Sequence, residues 1–161
     1  MSATPPPRSP DTQARVESAL ARLFEEQIPF NKFLGGKFQI AASGDVTATF
    51  DMRPDLVGSP APARLHGGVI ASVLDTLGGV AMVMGVLNRH PQDDEEQVMH
   101  RFSRLGTIDL RIDYLRPGVG KHFVAHAQAT RVGGRIGSAQ MRLSNDQGVL
   151  LATGAAAYVV S

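Results

Sequence analysis

A long apolar stretch, residues 66–87, constrains the fold of this chain more than any other feature of its sequence. Coiled as a helix, it is apolar on nearly every side, which is typical of a helix buried in a protein core. Its one acidic residue, Asp75, shares a helical face with Gly68, Ser72 and Gly79, since these residues are spaced 4, 3 and 4 apart. We therefore expect a buried helix with one narrow face that another element can approach closely.

The same stretch has the length of a transmembrane helix, because about 20 helical residues cover a bilayer core of roughly 30 Å. Against that interpretation, a carboxylate near the middle is costly in a bilayer, glycine recurs through the stretch, and no basic cluster follows it. The remaining chain also needs this helix for its core. The sequence therefore predicts no membrane span.

Composition indicates one ordinary globular domain. The chain has 161 residues, 43% hydrophobic and 19% charged, with a formal net charge of +1. It can therefore bury a substantial core, and it offers no basic footprint for nucleic acid. The absence of cysteine excludes disulfides and thiolate chemistry. Together with the lack of a signal-peptide pattern, it predicts a cytoplasmic location.

The N-terminal part is predicted to be a tail followed by a helix. Residues 1–10 hold four of the ten prolines and little to bury, which predicts a disordered tail ahead of a single domain at 11–161. A helix is expected from about Pro10 to Gln27, because apolar residues there follow helical spacing. Pro29 should end it.

Most of the remaining chain has the alternation of strands. A hairpin is predicted at about residues 37–50 and a loop at 53–65. The polar stretch 88–104 is also predicted to be a solvated loop, since its four consecutive acids have no convergent metal ligand nearby. Four further strands are predicted at 107–115, 122–132, 135–144 and 149–160.

Small residues on these strands leave room for a helix to lie against the sheet. The alanines predicted to face inward are Ala125, Ala127, Ala129, Ala139, Ala155 and Ala157. On the first of the four strands, one face is predicted to hold Ile108, Leu110, Ile112 and Tyr114. The predicted fold class is α+β, with an antiparallel six-stranded sheet wrapped around a long central helix and an extra N-terminal helix.

Three stretches carry a recognisable pattern. They are Leu-His-Gly-Gly-Val-Ile-Ala-Ser-Val-Leu-Asp at 65–75, Gly-Thr-Ile-Asp-Leu-Arg-Ile-Asp-Tyr-Leu-Arg-Pro-Gly at 106–118, and Ala-Thr-Gly at 152–154. With them the chain resembles the hotdog fold of acyl-CoA thioesterases, in particular the PaaI-like group and its YigI-like branch. A His-Gly-Gly alone is a weak signal, but here it precedes an apolar helix with an acid nine residues after the His. The resemblance covers about residues 12–160.

The resemblance implies an enzyme that hydrolyses an acyl-CoA thioester, with a medium- or long-chain fatty acyl group, to free acid and CoA. It implies that Gly67 offers a backbone N–H to the thioester carbonyl, that Asp75 is the general base or nucleophile, and that the Thr107 hydroxyl helps to hold the water. No cofactor or metal is expected, because coenzyme A is part of the substrate. The resemblance also implies a homodimer with shared active sites, or a dimer of dimers.

The chemistry of these residue types agrees with such roles. A helix N-terminus offers free N–H donors and a positive dipole end, and Gly67 and Gly68 have no side chain in the way. A carboxylate on an apolar helix, such as Asp75, is costly unless it is paired, hydrogen-bonded or functional. Taken alone, the glycines equally suit a tight turn, and Thr107 an ordinary strand. His66 is expected to position the start of the helix rather than to act as the base.

Signals for binding the rest of the substrate are weaker. Arg131 and Arg135 flank the Gly133–Gly134 turn, and with Arg104 they are candidates for binding the phosphates of coenzyme A. Ordinary solvated charges are an equal alternative. Many PaaI-like enzymes carry Asn or Gln six residues before the His, where this chain has Pro60, so any help from an amide at that position is missing.

Two other functions are alternatives on the same fold. A non-catalytic acyl-CoA sensor needs no acid on the central helix and usually has an attached DNA-binding segment. A dehydratase or hydratase would need a His and an acid together at the start of the helix, whereas His66 and Asp75 are nine residues apart. A serine triad is not expected, as the chain has no Gly-x-Ser-x-Gly motif.

Overall fold

The computed structural model describes residues 8–160. Its helices are α1 (Pro10–Arg22), α2 (Pro29–Leu34), α3 (Gly67–Arg89) and α4 (Glu95–Ser103). Its strands are β1 (Lys37–Ile40), β2 (Val46–Asp51), β3 (Val57–Pro60), β4 (Ala63–Leu65), β5 (Gly106–Tyr114), β6 (His122–Val132), β7 (Ile136–Asn145) and β8 (Leu150–Val159). A π-helical turn, Leu23–Gln27, follows α1, and a short 3₁₀ turn, Pro54–Leu56, precedes β3.

Six strands form one antiparallel sheet in the order β1-β2-β6-β7-β8-β5, and the short hairpin of β3 and β4 stands apart from it. Helix α3 packs on this sheet, and most of its length is buried. It is long and apolar enough to cross a membrane, with a mean hydropathy of 1.9, but 67% of that apolar window is buried inside the protein. It is therefore a core helix, and the predicted α+β fold is confirmed.

The inward face of β8 differs from the prediction. Ala125, Ala127 and Ala139 face inward as expected and are almost fully buried. On β8, however, Ala156 is the inward residue, while Ala155 is exposed. The predicted faces of Ala155 and Ala157 are therefore wrong. Three consecutive alanines carry no polar and apolar alternation, so the sequence alone does not show which of them turns inward.

A β-bulge changes the pattern of β5. The register with β8 shifts between Thr107 and Asp109. Leu110 and Ile112 pack against the core as predicted. Ile108 lies in the bulge and is 55% exposed, so its predicted place on the same face is wrong. A bulge re-aims the residue beside it, and here that residue is Thr107.

The N-terminal helix ends earlier than predicted and a second helix follows it. Ser9 caps α1, and its regular part stops at Arg22 before the π-helical turn. Pro29 begins α2 instead of only ending α1, because a helix loses nothing when its first residue has no N–H. Most of the predicted tail, residues 1–7, lies outside the described residues.

Two segments predicted to be loops contain secondary structure. Residues 53–65 include the hairpin of β3 and β4, whose strands of four and three residues are too short to give a clear strand pattern in the sequence. Residues 88–104 include α4, whose first turn has a capping box: Asp94 accepts from the Gln97 N–H, and the Gln97 side chain accepts from the Asp94 N–H. Val98 is buried, so the segment contains a helix docked on the protein and capped by Asp94, and its prediction as a solvated loop is wrong there.

The capping box makes a testable prediction about α4. Asp94→Ala removes the acceptor for the Gln97 N–H and should lower the free energy of unfolding by about 1 kcal/mol. Glu96→Ala is the matched control, since this neighbouring acid is exposed and caps nothing. Urea titration followed by circular dichroism measures both. Equal stability of the two variants would contradict the capped helix.

Candidate active site

The N-terminus of α3 presents one free backbone donor. His66 is the N-cap, and its Nδ1 accepts from the Gly68 N–H at 2.9 Å. Its carbonyl accepts from the N–H groups of Val69 and Ile70 at 3.0 and 3.2 Å. Within residues 8–160, the Gly67 N–H is then the donor of this first turn that has no protein acceptor. The positive end of the helix dipole acts at the same place.

An open groove of about 450 Å³ lies over this donor. Its walls come from the β3 and β4 hairpin, the start of α3 and the segment after β5. Tyr114 at the end of β5 donates from its hydroxyl to the Gly67 carbonyl at 2.9 Å. A Cβ at Gly67 would lie 3.4 Å from the Tyr114 ring, so glycine allows the ring to stand close to the free N–H. The groove can therefore admit a negatively charged oxygen to the donor.

Asp75 lies two turns further along α3 and is held by β5. The Thr107 hydroxyl donates to Asp75 Oδ1 at 2.9 Å. This contact depends on the β-bulge, which turns Thr107 toward α3. Asp75 is half-buried, and within the described residues its other carboxylate oxygen, Oδ2, has no protein donor. One oxygen is thus positioned while the other can accept a proton or attack a carbon.

A buried tyrosine supports the backbone of the same residue. The Tyr158 hydroxyl donates to the Asp75 carbonyl at 3.2 Å. Burial, and then the charge of Asp75, raise the pKa of Tyr158 well above its usual range. The phenol therefore stays neutral and remains a donor at any pH at which the protein is used.

The chain is similar to proteins of a known family. The sequence profile of the thioesterase superfamily matches residues 63–152. The chain belongs to the thioesterase superfamily. It is 38% identical over 149 residues to the Escherichia coli protein named medium/long-chain acyl-CoA thioesterase YigI, covering 92% of this chain and 96% of that relative. The predicted family resemblance is confirmed.

Solved structures agree with the family assignment. A Shewanella oneidensis protein related to the thioesterase superfamily superposes with a TM-score of 0.89 at 36% identity, covering 95% of this chain and all of the other. A thioesterase structure from Syntrophus aciditrophicus gives a TM-score of 0.84 at 34% identity, covering 94% and 99%.

In this thioesterase, the three predicted arginines lie at one end of the sheet. Arg104 follows α4 and lines a groove of about 420 Å³ with His100 and Val160. The Val160 N–H donates to the Arg135 carbonyl at 2.9 Å, which places Arg135 beside this groove. Arg131 lies in the same hairpin of β6 and β7 as Arg135, opposite Ser138. Its neighbour on β6 contacts α3, so the Arg131 side chain leaves the opposite face of the sheet.

Other site residues were missed by the sequence analysis. Tyr114 and Tyr158 gave only a strand signal, and their contacts with α3 depend on how the sheet lies across the helix. His100 was missed because α4 was predicted to be a loop. Pro60, at the end of β3, is exposed and has no side-chain amide to contribute.

Proposed function

We propose that the protein hydrolyses medium- or long-chain acyl-CoA thioesters to free acid and CoA, with Asp75 as general base or nucleophile and the Gly67 N–H as oxyanion donor. The observation that carries the proposal is the hydrogen bond from Thr107 to Asp75 Oδ1, while no donor within residues 8–160 binds Oδ2. The name of the Escherichia coli relative supports the substrate class and chain length. A cytoplasmic location stays a prediction.

The proposed chemistry follows from these atoms. As a general base, Asp75 takes a proton from water while the water oxygen bonds to the thioester carbon, and the proton then passes to the leaving sulfur as the C–S bond breaks. As a nucleophile, the carboxylate would instead bond to the thioester carbon and expel the CoA thiolate as the C–S bond breaks, which forms an anhydride. Water then hydrolyses the anhydride, restoring the carboxylate and supplying the proton that the thiolate takes up. In either route the carbonyl oxygen becomes negative, and the free Gly67 N–H at the helix N-terminus can stabilise it.

The positions of Gly67 and Asp75 lead us to propose a shared active site. They are eight residues apart on α3, which separates them by about 12 Å along the axis. Both must approach one thioester carbonyl group within about 3 to 3.5 Å. Two α3 helices running antiparallel about a two-fold axis meet this requirement, since each Gly67 then faces the Asp75 of the other chain.

The surface of the single chain supports such a pairing. Gly68, Ser72 and Asp75 are exposed or half-buried on one face of α3. The predicted face is shorter than expected, because Gly79 is buried beneath the Leu105 side chain. Within the described residues β5 pairs only with β8, so one edge of this long strand has free backbone groups for a second chain.

We further propose that Arg104 and Arg135 bind phosphates of coenzyme A. Arg104 is three positions before Thr107 in the chain, so their Cα atoms lie at most roughly 10 Å apart. The groove beside Arg104 therefore lies within reach of an extended substrate whose thioester is at Asp75. Arg101 in the same groove is paired with Asp93, so Arg104 and His100 are the more available groups there.

Asp75→Asn tests the catalytic role. The amide keeps the shape and loses the base, so hydrolysis should fall roughly 10²- to 10⁴-fold. Release of free thiol is measured on acyl-CoAs from acetyl to palmitoyl and on phenylacetyl-CoA, and the optimum should lie at medium or long chains. Asp109→Asn is the matched control, because this exposed carboxylate on β5 is outside the site. No turnover of any acyl-CoA by the unmodified protein would favour the sensor.

Complementation tests the shared site. Gly67→Pro removes the free N–H, and the extended ψ of 136° at His66 suits a following proline. Mixed and refolded in equal amounts with Asp75→Asn, it should give about half heterodimer by random pairing. Each heterodimer has one intact site, so roughly a quarter of the unmodified activity should return. Subunit exchange without recovered activity would place both groups within one chain or reject Gly67.

Arg104→Ala with Arg135→Ala tests the phosphate site. The double variant should raise KM for acyl-CoA about tenfold, and KM for the matching acyl-pantetheine thioester by less than about twofold, since only CoA carries the phosphates. Arg142→Ala on the exposed face of β7 is the control. Similar increases in KM on both substrates would contradict phosphate binding.

A further inference from the structure

The buried phenol beneath Asp75 has a role beyond packing. Tyr158 is the largest side chain among the described residues that are almost fully buried, at 1% exposure, and its hydroxyl donates to the Asp75 carbonyl at 3.2 Å. We propose that Tyr158 is a positioning residue: it holds the turn of α3 that carries Asp75 so that the carboxylate stays aligned with Thr107. This inference rests on the proposed catalytic role of Asp75.

A notch in α3 admits the tyrosine. A Cβ at Gly78 would collide with the Tyr158 hydroxyl and lie 3.1 Å from its ring carbon Cζ. At Gly79 a Cβ would lie 4.0 Å from the same ring. Apart from proline, glycine is the least favourable residue inside a helix. Glycine at position 78, three residues after Asp75, therefore lowers the helix propensity but leaves space for the Tyr158 hydroxyl to reach the backbone.

Two hydroxyls on neighbouring strands hold the same residue. Thr107 on β5 and Tyr158 on β8 are directly opposite in the sheet. Side chains of such a pair leave the same face with Cβ atoms about 4.5 to 5.5 Å apart. Thr107 binds the carboxylate of Asp75, and Tyr158 binds its carbonyl. Together they fix both the position and the rotation of this turn relative to the sheet.

The helix itself does not require the second contact. Inside an α-helix, the carbonyl of residue 75 already accepts from the N–H four residues later. Phenylalanine would fill the same volume without burying a hydroxyl, whose desolvation is costly without a partner. The Tyr158 hydroxyl is therefore best explained by its orienting the turn of α3 that carries Asp75.

Tyr158→Phe is the primary test, with kcat and KM measured at a temperature where circular dichroism shows every variant folded. We expect kcat to fall about tenfold while KM changes less than about twofold, because the carboxylate is misplaced and the substrate contacts are intact. Val46→Ala is the control for lost stability, since Val46 is fully buried on β2, three strands from β8. It should lower the melting temperature and leave kcat unchanged.

Two further variants separate positioning from packing. Combined with Thr107→Val, Tyr158→Phe should add little to the loss of kcat, since both act through Asp75. Gly78→Ala should displace the hydroxyl and reproduce the loss of kcat. Adding Tyr158→Phe to Gly78→Ala should recover melting temperature and leave kcat low. This pair also provides the test if either single variant folds poorly.

The outcomes distinguish this inference from the proposed function. An inactive Asp75→Asn together with a Tyr158→Phe that keeps more than half of the unmodified kcat would overturn the positioning role alone. If the fold-losses of kcat in Thr107→Val and Tyr158→Phe multiply in the double variant, the positioning role would also be overturned. An active Asp75→Asn would remove the catalytic role of Asp75, and the positioning role with it.

Discussion

The structure depends on how closely α3 approaches the sheet. At Gly85 a Cβ would lie 2.7 Å from Val132 and 3.2 Å from Ala129, and at Gly137 it would collide with Met82. These contacts leave no space for larger side chains between the two layers, so glycine and alanine set the distance between helix and strands. Protein cores are packed as densely as organic crystals, and a methyl group added at such a point must move one layer.

This close packing also determines where polar groups can act on α3. On a helix that is buried along most of its length, functional polar groups can lie only at the ends or where a neighbouring strand supplies a hydrogen-bond partner. The N-terminus offers the free Gly67 N–H, and the β-bulge in β5 brings the Thr107 hydroxyl to Asp75. The same distance between layers lets Tyr158 reach the helix backbone through Gly78. The fold and the candidate site therefore both depend on the short distance between α3 and the sheet.

What the sequence could predict follows from the strength of each local pattern. The apolar run of α3 and the alternation in β6 and β7 predicted those elements, and the His-Gly-Gly motif identified the start of α3. The run from Ala155 to Ala157 has no alternation of polar and apolar residues, so the prediction of which alanines face inward was wrong there. The bulge at Ile108 and the contact of Tyr158 arise from the register of β5 with β8, which is a property of the assembled sheet.

Burying a carboxylate on a mostly apolar helix costs free energy, and the hydrogen bonds within one chain compensate for only part of that cost. Asp75 is half-buried and accepts one side-chain hydrogen bond, from Thr107, which satisfies part of its acceptor capacity. In the proposed dimer a second α3 would cover this face and remove more water from the carboxylate. A carboxylate held through one oxygen can still use its other oxygen on the one water or carbonyl that reaches it. The hydrogen bond to one carboxylate oxygen alone is therefore the arrangement that the proposed catalytic role of Asp75 requires.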